Sequence, residues 1–494
     1  MGTAESTLAS RAARAPILPL ALAQFVCSFA GTSTNVAITP IAKDLGTTVS
    51  GVQTAITVFT LTMAALMIPG SKLTDILGRK RCFVLGLFIY GAGALLTSLA
   101  QGLPAMITGY SLLEGVGSAL LIPPVYILVT VSHRDVRSRA KFFGIVSGAG
   151  GLGAAAGPLV GGLITSSISW RATFGLQLVL VLLIVWLARS ITDTPVARPR
   201  PTFDVEGAVL SAAGLVLVVI GLLETRTYGW FVSRADFSIG GVVILPKGSM
   251  SPVWLYFAAG AAFLVWFLGH LRRRERRGRA VLVSLRMFSR RAANLGMATQ
   301  FAQWMSMQGC FFVVSVYLQQ VRHFDAITTG LILTPATAGI LASSAAAQRL
   351  ASRRTQRTLI IAGFVLASSG MLLLLVLVRP HNDILLTVPG TLAFGLGVGV
   401  MLTASVNLVQ SAFPARDQGE ISGLSRSVSN LGSTFGTAMA GSVLVAAGIH
   451  LKDGRDFGAA LLVLLVFTLL GLAAAVFIPR ERAATGATAL THIE

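Results

Sequence analysis

Ser71-Lys72-Leu73-Thr74-Asp75-Ile76-Leu77-Gly78-Arg79-Lys80-Arg81 lies between two apolar runs, residues 50–70 and 82–102. Each run has about the twenty apolar residues that a helix needs to cross roughly 30 Å of hydrocarbon. The stretch between them holds four basic side chains, one carboxylate and a turn glycine, so it reads as the tip of a membrane hairpin. Working outward, runs of the same kind lie near residues 17–40, 105–131, 142–167, 171–190, 205–224, 252–270, 293–318, 326–347, 358–378, 385–410, 420–448 and 457–478. With the first pair they make fourteen. They are expected as helices, because backbone amides in hydrocarbon must pair within their own segment. Of 494 residues, 54% are hydrophobic and 12% charged, and the mean hydropathy is +0.77. A water-soluble globule is excluded.

The 39 Lys and Arg against 19 Asp and Glu give a net charge of +20, which in a soluble chain would suggest a nucleic-acid partner. Their placement says otherwise. With a cytoplasmic N-terminus, 30 of the basic residues fall on inner segments. Only Lys43, Arg171, Arg226, Arg234, Lys247, Arg322, Arg379, Lys452 and Arg455 fall outside. That bias is the positive-inside pattern. It puts both termini in the cytoplasm and sets the densest cluster, Arg272 to Arg279, against anionic headgroups rather than nucleic acid. Cys27, Cys82 and Cys310 each lie inside an apolar run, so neither a disulfide framework nor a metal site is expected. Leu20 to Ala23 loosely resembles a secretory cleavage site. The apolar run continues to Ile41, however, and it is read as the first span.

Self-comparison reveals a duplication. Gln24-Phe25 recurs as Gln300-Phe301, the Asp75–Arg81 loop has an echo at Ser352 to Arg357, Gly115-Val116-Gly117 recurs as Gly397-Val398-Gly399, and Gly153 and Gly157 as Gly432 and Gly436. All four pairs share nearly one offset and keep their order. They pair spans 1, 2, 4 and 5 with 9, 10, 12 and 13, leaving spans 7 and 8 as an insertion. The fold class is therefore an all-α integral membrane protein with about fourteen transmembrane helices arranged six plus two plus six. The expected divisions are a cytoplasmic segment 1–16, a six-helix bundle 17–190, a linker with two inserted helices and the basic loop over 191–291, a second six-helix bundle 292–478, and a cytoplasmic tail 479–494. An even six-helix offset makes the repeats parallel, with a substrate site expected between them.

These residues carry a family resemblance. The stretch Ser71 to Arg81 resembles the signature loop between helices 2 and 3 of the major facilitator superfamily. Gly153, Gly157, Pro158, Gly161 and Gly162, continuing through Trp170-Arg171, look like its antiporter motif in helix 5. With fourteen spans, and with Asn35-Val36-Ala37, Tyr317 to Gln319, Thr329 to Pro335 and Gly419 to Gly423, nearly the whole chain resembles the drug:proton antiporter-2 family of multidrug exporters. The resemblance implies a major facilitator fold and export of hydrophobic compounds against proton entry. Asp75, Gly78, Arg79 and Lys80 are then gating candidates: the glycine permits the turn, and the charges can latch one side. A plain positive-inside loop would read the same way. In helix 5, small residues at four-residue spacing admit a close helix neighbour, whether or not they bear on direction of transport. A formal Gly-x-Gly-x-x-Gly at Gly148, Gly150 and Gly153 follows no strand and lies within a span, so it is read as packing rather than a dinucleotide site.

The family pattern breaks at informative places. Its helix-1 aspartate falls on Ala30, its helix-4 arginine on Ser111, and its helix-4 glutamine on Glu114. Glu114 lies about 15 Å into its span, and an ionised acid near the bilayer centre costs on the order of 3 kcal/mol. It is expected to face a cavity as the proton carrier in place of the missing aspartate, with Tyr110, Ser111 and Ser118 on the same helical face. The alternative is a neutral acid packed as a glutamine would be, with transport uncoupled. In span 9, Gln300, Gln303, Trp304, Met307 and Gln308 recur at helical spacing and are expected to form one polar face on the cavity or on a helix interface. Gln24, Asn35, Gln53 and Asn407, with Gln177 and Asn430, are further cavity candidates. Asp204 is expected to cap its helix, and the histidines mostly fall in loops.

The chain is therefore expected to be a multi-pass transporter of the cytoplasmic membrane and not an enzyme. It would export a small amphipathic or hydrophobic compound, with protons and lipids as further partners, no metal and no cofactor, acting as a monomer. The scarcity of cavity acids makes neutral or anionic amphipaths plausible substrates. An uncoupled facilitator or importer is the first rival reading, and a flux-free receptor or scaffold the second.

Overall fold

The computed structural model describes residues 16–132, 136–192, 202–239, 242–351, 353–377, 383–413, 417–446 and 455–479. The expected cytoplasmic tail, nearly all of the N-terminal segment, and Arg379, Lys452 and His133 lie outside them. Fourteen long helices follow the expected order: α1 (Ile17–Val36), α2 (Val49–Leu77), α3 (Arg79–Ser98), α4 (103–132), α5 (Val136–Ser167), α6 (Trp170–Ala188), α7 (Val205–Tyr228), α8 (Val253–Arg276), α9 (Arg291–Gln320), α10 (Ala326–Leu350), α11 (Gln356–Leu377), α12 (Thr387–Ser411), α13 (Gln418–Ala446) and α14 (Arg455–Val476). Several run past the apolar stretch that announced them. Hydropathy marks where a helix leaves the lipid, not where its hydrogen bonds end.

Among the described residues, side-chain caps start five of these helices. Thr48, Ser169, Asp204, Asp325 and Thr355 accept from the amides of Gly51, Arg171, Gly207, Thr328 and Thr358, satisfying first-turn donors that have no intrahelical partner. At the tip of the first hairpin, Gly78 caps α2 with φ of 101° and leads directly into α3. That dihedral is strained for any residue with a Cβ.

Among the described residues, thirteen helices are long and apolar enough to cross a membrane. α13 is the exception: it has 29 residues and is rich in Ser and Thr. Its polarity is absorbed internally. Ser429, Thr434, Thr437 and Ser442 donate to the carbonyls four residues earlier, and the helix is packed between α2, α9 and α7, so little of it meets lipid. α7 and α8 pair with each other, and α7 also leans on α13 and α2. Between them a short antiparallel hairpin, Phe237–Ile239 with Val242–Leu245, adds the strands that the helical reading did not contain.

Packing repeats across the duplication. A Cβ on Gly153 would collide with the Phe25 carbonyl of α1, and one on Gly432 with the Phe301 carbonyl of α9. The two contacts are equivalents of each other under the sequence pairing of Phe25 with Phe301 and Gly153 with Gly432. Asp204 caps α7 as expected but also bonds His270 Nε2 at 2.9 Å. His270 is 8% exposed within α8, so this histidine is buried in a helix rather than lying in a loop.

The ends of the helices opposite the basic loops are clamped by Asp44, in the short helix Ile38–Asp44 that follows α1. It accepts from Trp170 Nε1 at 2.9 Å and pairs with Arg171, whose guanidinium lies over the Trp170 ring. The Trp170 hydrogen bond, against an opposing effect of burial and helped by the hydrogen bond and charge of Arg171, holds the Asp44 carboxyl below the usual carboxylate range. A depressed carboxylate stabilises the fold above its unfolded pKa of about 3.9 and loses that contribution as pH falls through the folded value. The exposed pair is worth less than about 1 kcal/mol. We expect Asp44→Asn to lower the melting temperature slightly at pH 7 and by less as pH is taken down through the acid range to 3; equal losses at both pH values would exclude the ionic contribution.

Candidate functional site

A cavity of about 520 Å³ lies between α1, α4 and α5 on one side and α9, α10, α12 and α13 on the other. Its walls come from the basic-loop half of the molecule: Ile145 to Ala154 in the first part of α5, Ser344 and Ala345 near the end of α10, Gln410 near the end of α12, and Ser422 near the start of α13. Aromatic rings of Tyr126 and Trp304 stand in it, facing the glycine-rich stretch Gly148 to Gly151. A recess of about 40 Å³ continues inward past Ser28, Trp304 and Arg426 to Gln24, Cys27, Gly31 and Gln308.

Toward the other end the helices close. Gln308 Nε2 donates to Gly31 O at 3.1 Å, Gln319 Nε2 to Val36 O at 3.0 Å, and Gln320 Nε2 to Thr39 Oγ1 at 2.9 Å. Beside them, Ile327 N donates to Ser166 Oγ, and a Cβ on Gly162 would meet the Ala326 carbonyl at 2.5 Å. The α2–α13 seam is bonded over most of its length, through Ser427 to Ala64 O, Thr434 to Thr60, and Gln53 to Thr437 O. The α5–α10 side stays apart in the basic-loop half. There a Cβ on Gly148 or Gly151 would meet nothing within 4 Å, and Ile145 and Leu152 are exposed.

A family model described as "Major Facilitator Superfamily" matches residues 20–437 and 296–491. The chain belongs to the major facilitator superfamily. It is 30% identical to a probable actinorhodin transporter of Streptomyces coelicolor, over 84% of this chain and 69% of that one. To the tetracenomycin C resistance and export protein of Streptomyces glaucescens it is 28% identical, covering 87% and 76%. To the multidrug resistance protein Stp of Mycobacterium tuberculosis it is 26% identical, covering 83% and 72%. Among solved structures, a peptide transporter POT aligns with a TM-score of 0.64 at 18% identity, covering 96% of this chain and 98% of that one. The human organic anion transporter MFSD10 aligns at 0.57 and 14%, covering 94% and 100%. These last two share the fold. The chain is a multi-pass membrane transporter of this superfamily.

The superfamily motifs take definite positions. Lys80 Nζ donates to the carbonyls of Arg189, at 3.1 Å, and Ile191, at 2.6 Å, tying the loop to the end of α6, while Ser71 at its start packs against Gly423 of α13. Arg79 follows Gly78 at the start of α3; the Asp75 side chain lies outside the described residues. In α5, Gly153, Gly157 and Gly161 pack on α1 against Phe25, Thr32 and Ser33, while the Pro158 carbonyl and Gly162 pack on α10.

Glu114 is completely buried, and neither carboxyl oxygen has a hydrogen-bond partner among the described residues. It does not face lipid, but it does not line the cavity either. Its Cγ packs against Gly93 of α3, and the phenol of Tyr90, itself donating to Gln177 Oε1, lies on the same side. Ser118 lies beside Cys27, which lines the recess and is a near neighbour of the acid. The expectation that Tyr110 and Ser111 line the cavity is corrected: neither is among its described lining residues. Residues Ile107–Glu114 form a π-helix, which changes the angular step, so Tyr110 Oη turns to Ala30 O on α1 and Ser111 Oγ to Ala55 O on α2.

The polar face of α9 is narrower than its spacing suggests. Trp304 and Gln308 line the cavity or its recess, and Gln300 accepts from Ser425 behind the cavity wall. Gln303 instead accepts from Ser405 on α12, and Met307 is fully buried in the core. Gln24 lines the recess, whereas Gln53 joins the α2–α13 seam. Asn35 is buried away from the cavity without a partner. Asn407 is exposed and absent from the lining, because it points away from the α12 face that carries Thr403, Val406 and Gln410.

Sequence reasoning missed three groups: Tyr126, the Gln319 and Gln320 closure, and Arg426. The last was counted with the loop charges, yet it lies eight residues into α13 and lines both the cavity and the recess. An arginine inside an apolar run was the signal that could have found it.

Proposed function

We propose that the chain exports a small amphipathic compound from the cytoplasmic side by alternating access, with proton entry coupled through Glu114. The observation that carries the reading is the cavity itself. Helices from both ends of the chain enclose it. It offers aromatic and apolar walls with few polar groups, and it is closed at one end by amide hydrogen bonds that no covalent link enforces. Rocking about the bonded α2–α13 seam would exchange the open end for the closed one. The basic-loop end is cytoplasmic by the charge bias, so the present arrangement would accept cargo from inside. Resistance and export relatives support this direction. A monomer suffices, since one chain encloses the whole cavity.

The distance of Glu114 from the cavity favours a second reading, an uncoupled facilitator in which the acid is purely structural. Everted vesicles made from cells expressing the chain test both. Under an imposed inward-acid gradient they are expected to accumulate aromatic amphipaths saturably and to release lumenal protons as they do. Accumulation that is indifferent to the gradient would select the facilitator. No saturable flux above vesicles lacking the chain would reject transport of these compounds.

A further inference from the structure

We propose that Arg426 is an anion receptor and that the cavity selects aromatic acids. The claim rests on the cavity being the transport site.

Among the described residues, Arg426 is the one charged side chain that lines the cavity and its recess. No carboxylate pairs with it among the described residues. A guanidinium eight residues into a membrane helix, about 12 Å from its start, is costly unless something compensates it. The protein supplies only a partial answer. Nη2 donates to Tyr126 Oη at 3.1 Å, and the guanidinium lies 5.8 Å from the Tyr126 ring centre and 5.9 Å from that of Trp304. Aromatic rings attract the cation's face and orient its plane. They leave the remaining edge N–H donors, out of five in all, without an acceptor among the described residues, and that fork is the geometry that binds a carboxylate through two parallel hydrogen bonds.

The rest of the chamber suits the remainder of such a molecule. Gly148 and Gly151 of α5 leave open space where side chains would stand, giving a flat wall for a planar ring, and Trp304 offers an aromatic face. A cationic aromatic would fit the rings equally well but would meet Arg426 as a like charge in a low-dielectric chamber. Charge, not shape, is therefore the discriminating feature.

The test compares 3-hydroxy-2-naphthoate with its neutral analogue 3-hydroxy-2-naphthamide. Both are titrated calorimetrically at neutral pH against the purified full chain in lipid nanodiscs, with empty nanodiscs subtracted. The naphthoate is expected to bind about tenfold or more tightly than the amide, the scale of a charge-assisted hydrogen bond against a neutral one. Arg426→Gln should remove that advantage while leaving the amide within about twofold of its original affinity, which also reports that the variant is folded; Arg426→Lys should retain part of it. Trp304→Leu should weaken both ligands. Unchanged naphthoate binding in Arg426→Gln, with the amide still bound, would overturn the anion role and leave the cavity reading standing. If the original chain binds neither compound, or if Trp304→Leu alters neither, the cavity reading fails and the proposal with it.

Discussion

Glu114→Gln is expected to leave a folded protein that no longer couples to protons: gradient-driven accumulation in everted vesicles falls to the background of vesicles lacking the chain, while downhill exchange of the same compound persists. The substitution preserves shape within a fully buried site where neither carboxyl oxygen has a partner among the described residues. It introduces an amide whose donors would be equally unpaired, at a cost of about 1–3 kcal/mol, too little to unfold a protein of this size. What it removes is the capacity to take and release a proton. An ionised acid in that position pairs with no cation among the described residues to offset a penalty on the order of 3 kcal/mol, so ionisation must await water, and Cys27 is the neighbour of Glu114 that lines the recess where water would enter. Glu114→Asp should retain reduced coupling. If Glu114→Gln transports as well as the original under the gradient, Glu114 is a packing residue.

The second large effect concerns the close-packed glycines of α5 and α13. Gly157→Ala and Gly436→Ala should each destabilise by about 1–3 kcal/mol, because the added Cβ would collide with Thr32 on α1 in the first case and with the Met305 carbonyl on α9 in the second. Gly151→Ala is the matched control. Nothing lies within 4 Å of its added methyl, so the usual gain of about 0.5–1 kcal/mol for replacing a helical glycine should appear. Denaturation in detergent, read by tryptophan fluorescence, gives the three values. Similar losses at all three positions would mean that helix flexibility, not close backbone approach, is what the glycines provide.

Much of this molecule was legible before any coordinates. Apolar run length revealed every long helix, because a bilayer imposes one length on all of them, and the paired Phe25 and Phe301 meet their paired glycines as the repeat requires. Legibility ended where local geometry departs from the regular helix or where a neighbour decides the environment. The π-helix ending at Glu114 turns Tyr110 and Ser111 onto α1 and α2, and nothing in the composition of those eight residues announces it. Arg426 was hidden by the charge bias itself, which counts cations by proximity to a loop and cannot see a cavity cut into a span. In α9, helical spacing gathered five residues onto one face, but only the contacts with α12 and α13 decide that Gln303 serves packing and Trp304 serves the chamber.

The inserted helix α7 touches both sides of the α2–α13 seam. Arg226 donates to Ser50 Oγ on α2 at 2.7 Å, and Thr225 donates to Ser442 Oγ on α13 at 2.7 Å. Two adjacent residues thus staple the boundary from outside, as a binding holds the covers of a book. The covers would then part by different amounts, least at the spine and most along the fore-edge where α5 faces α10, and a bulky passenger would board from that flank.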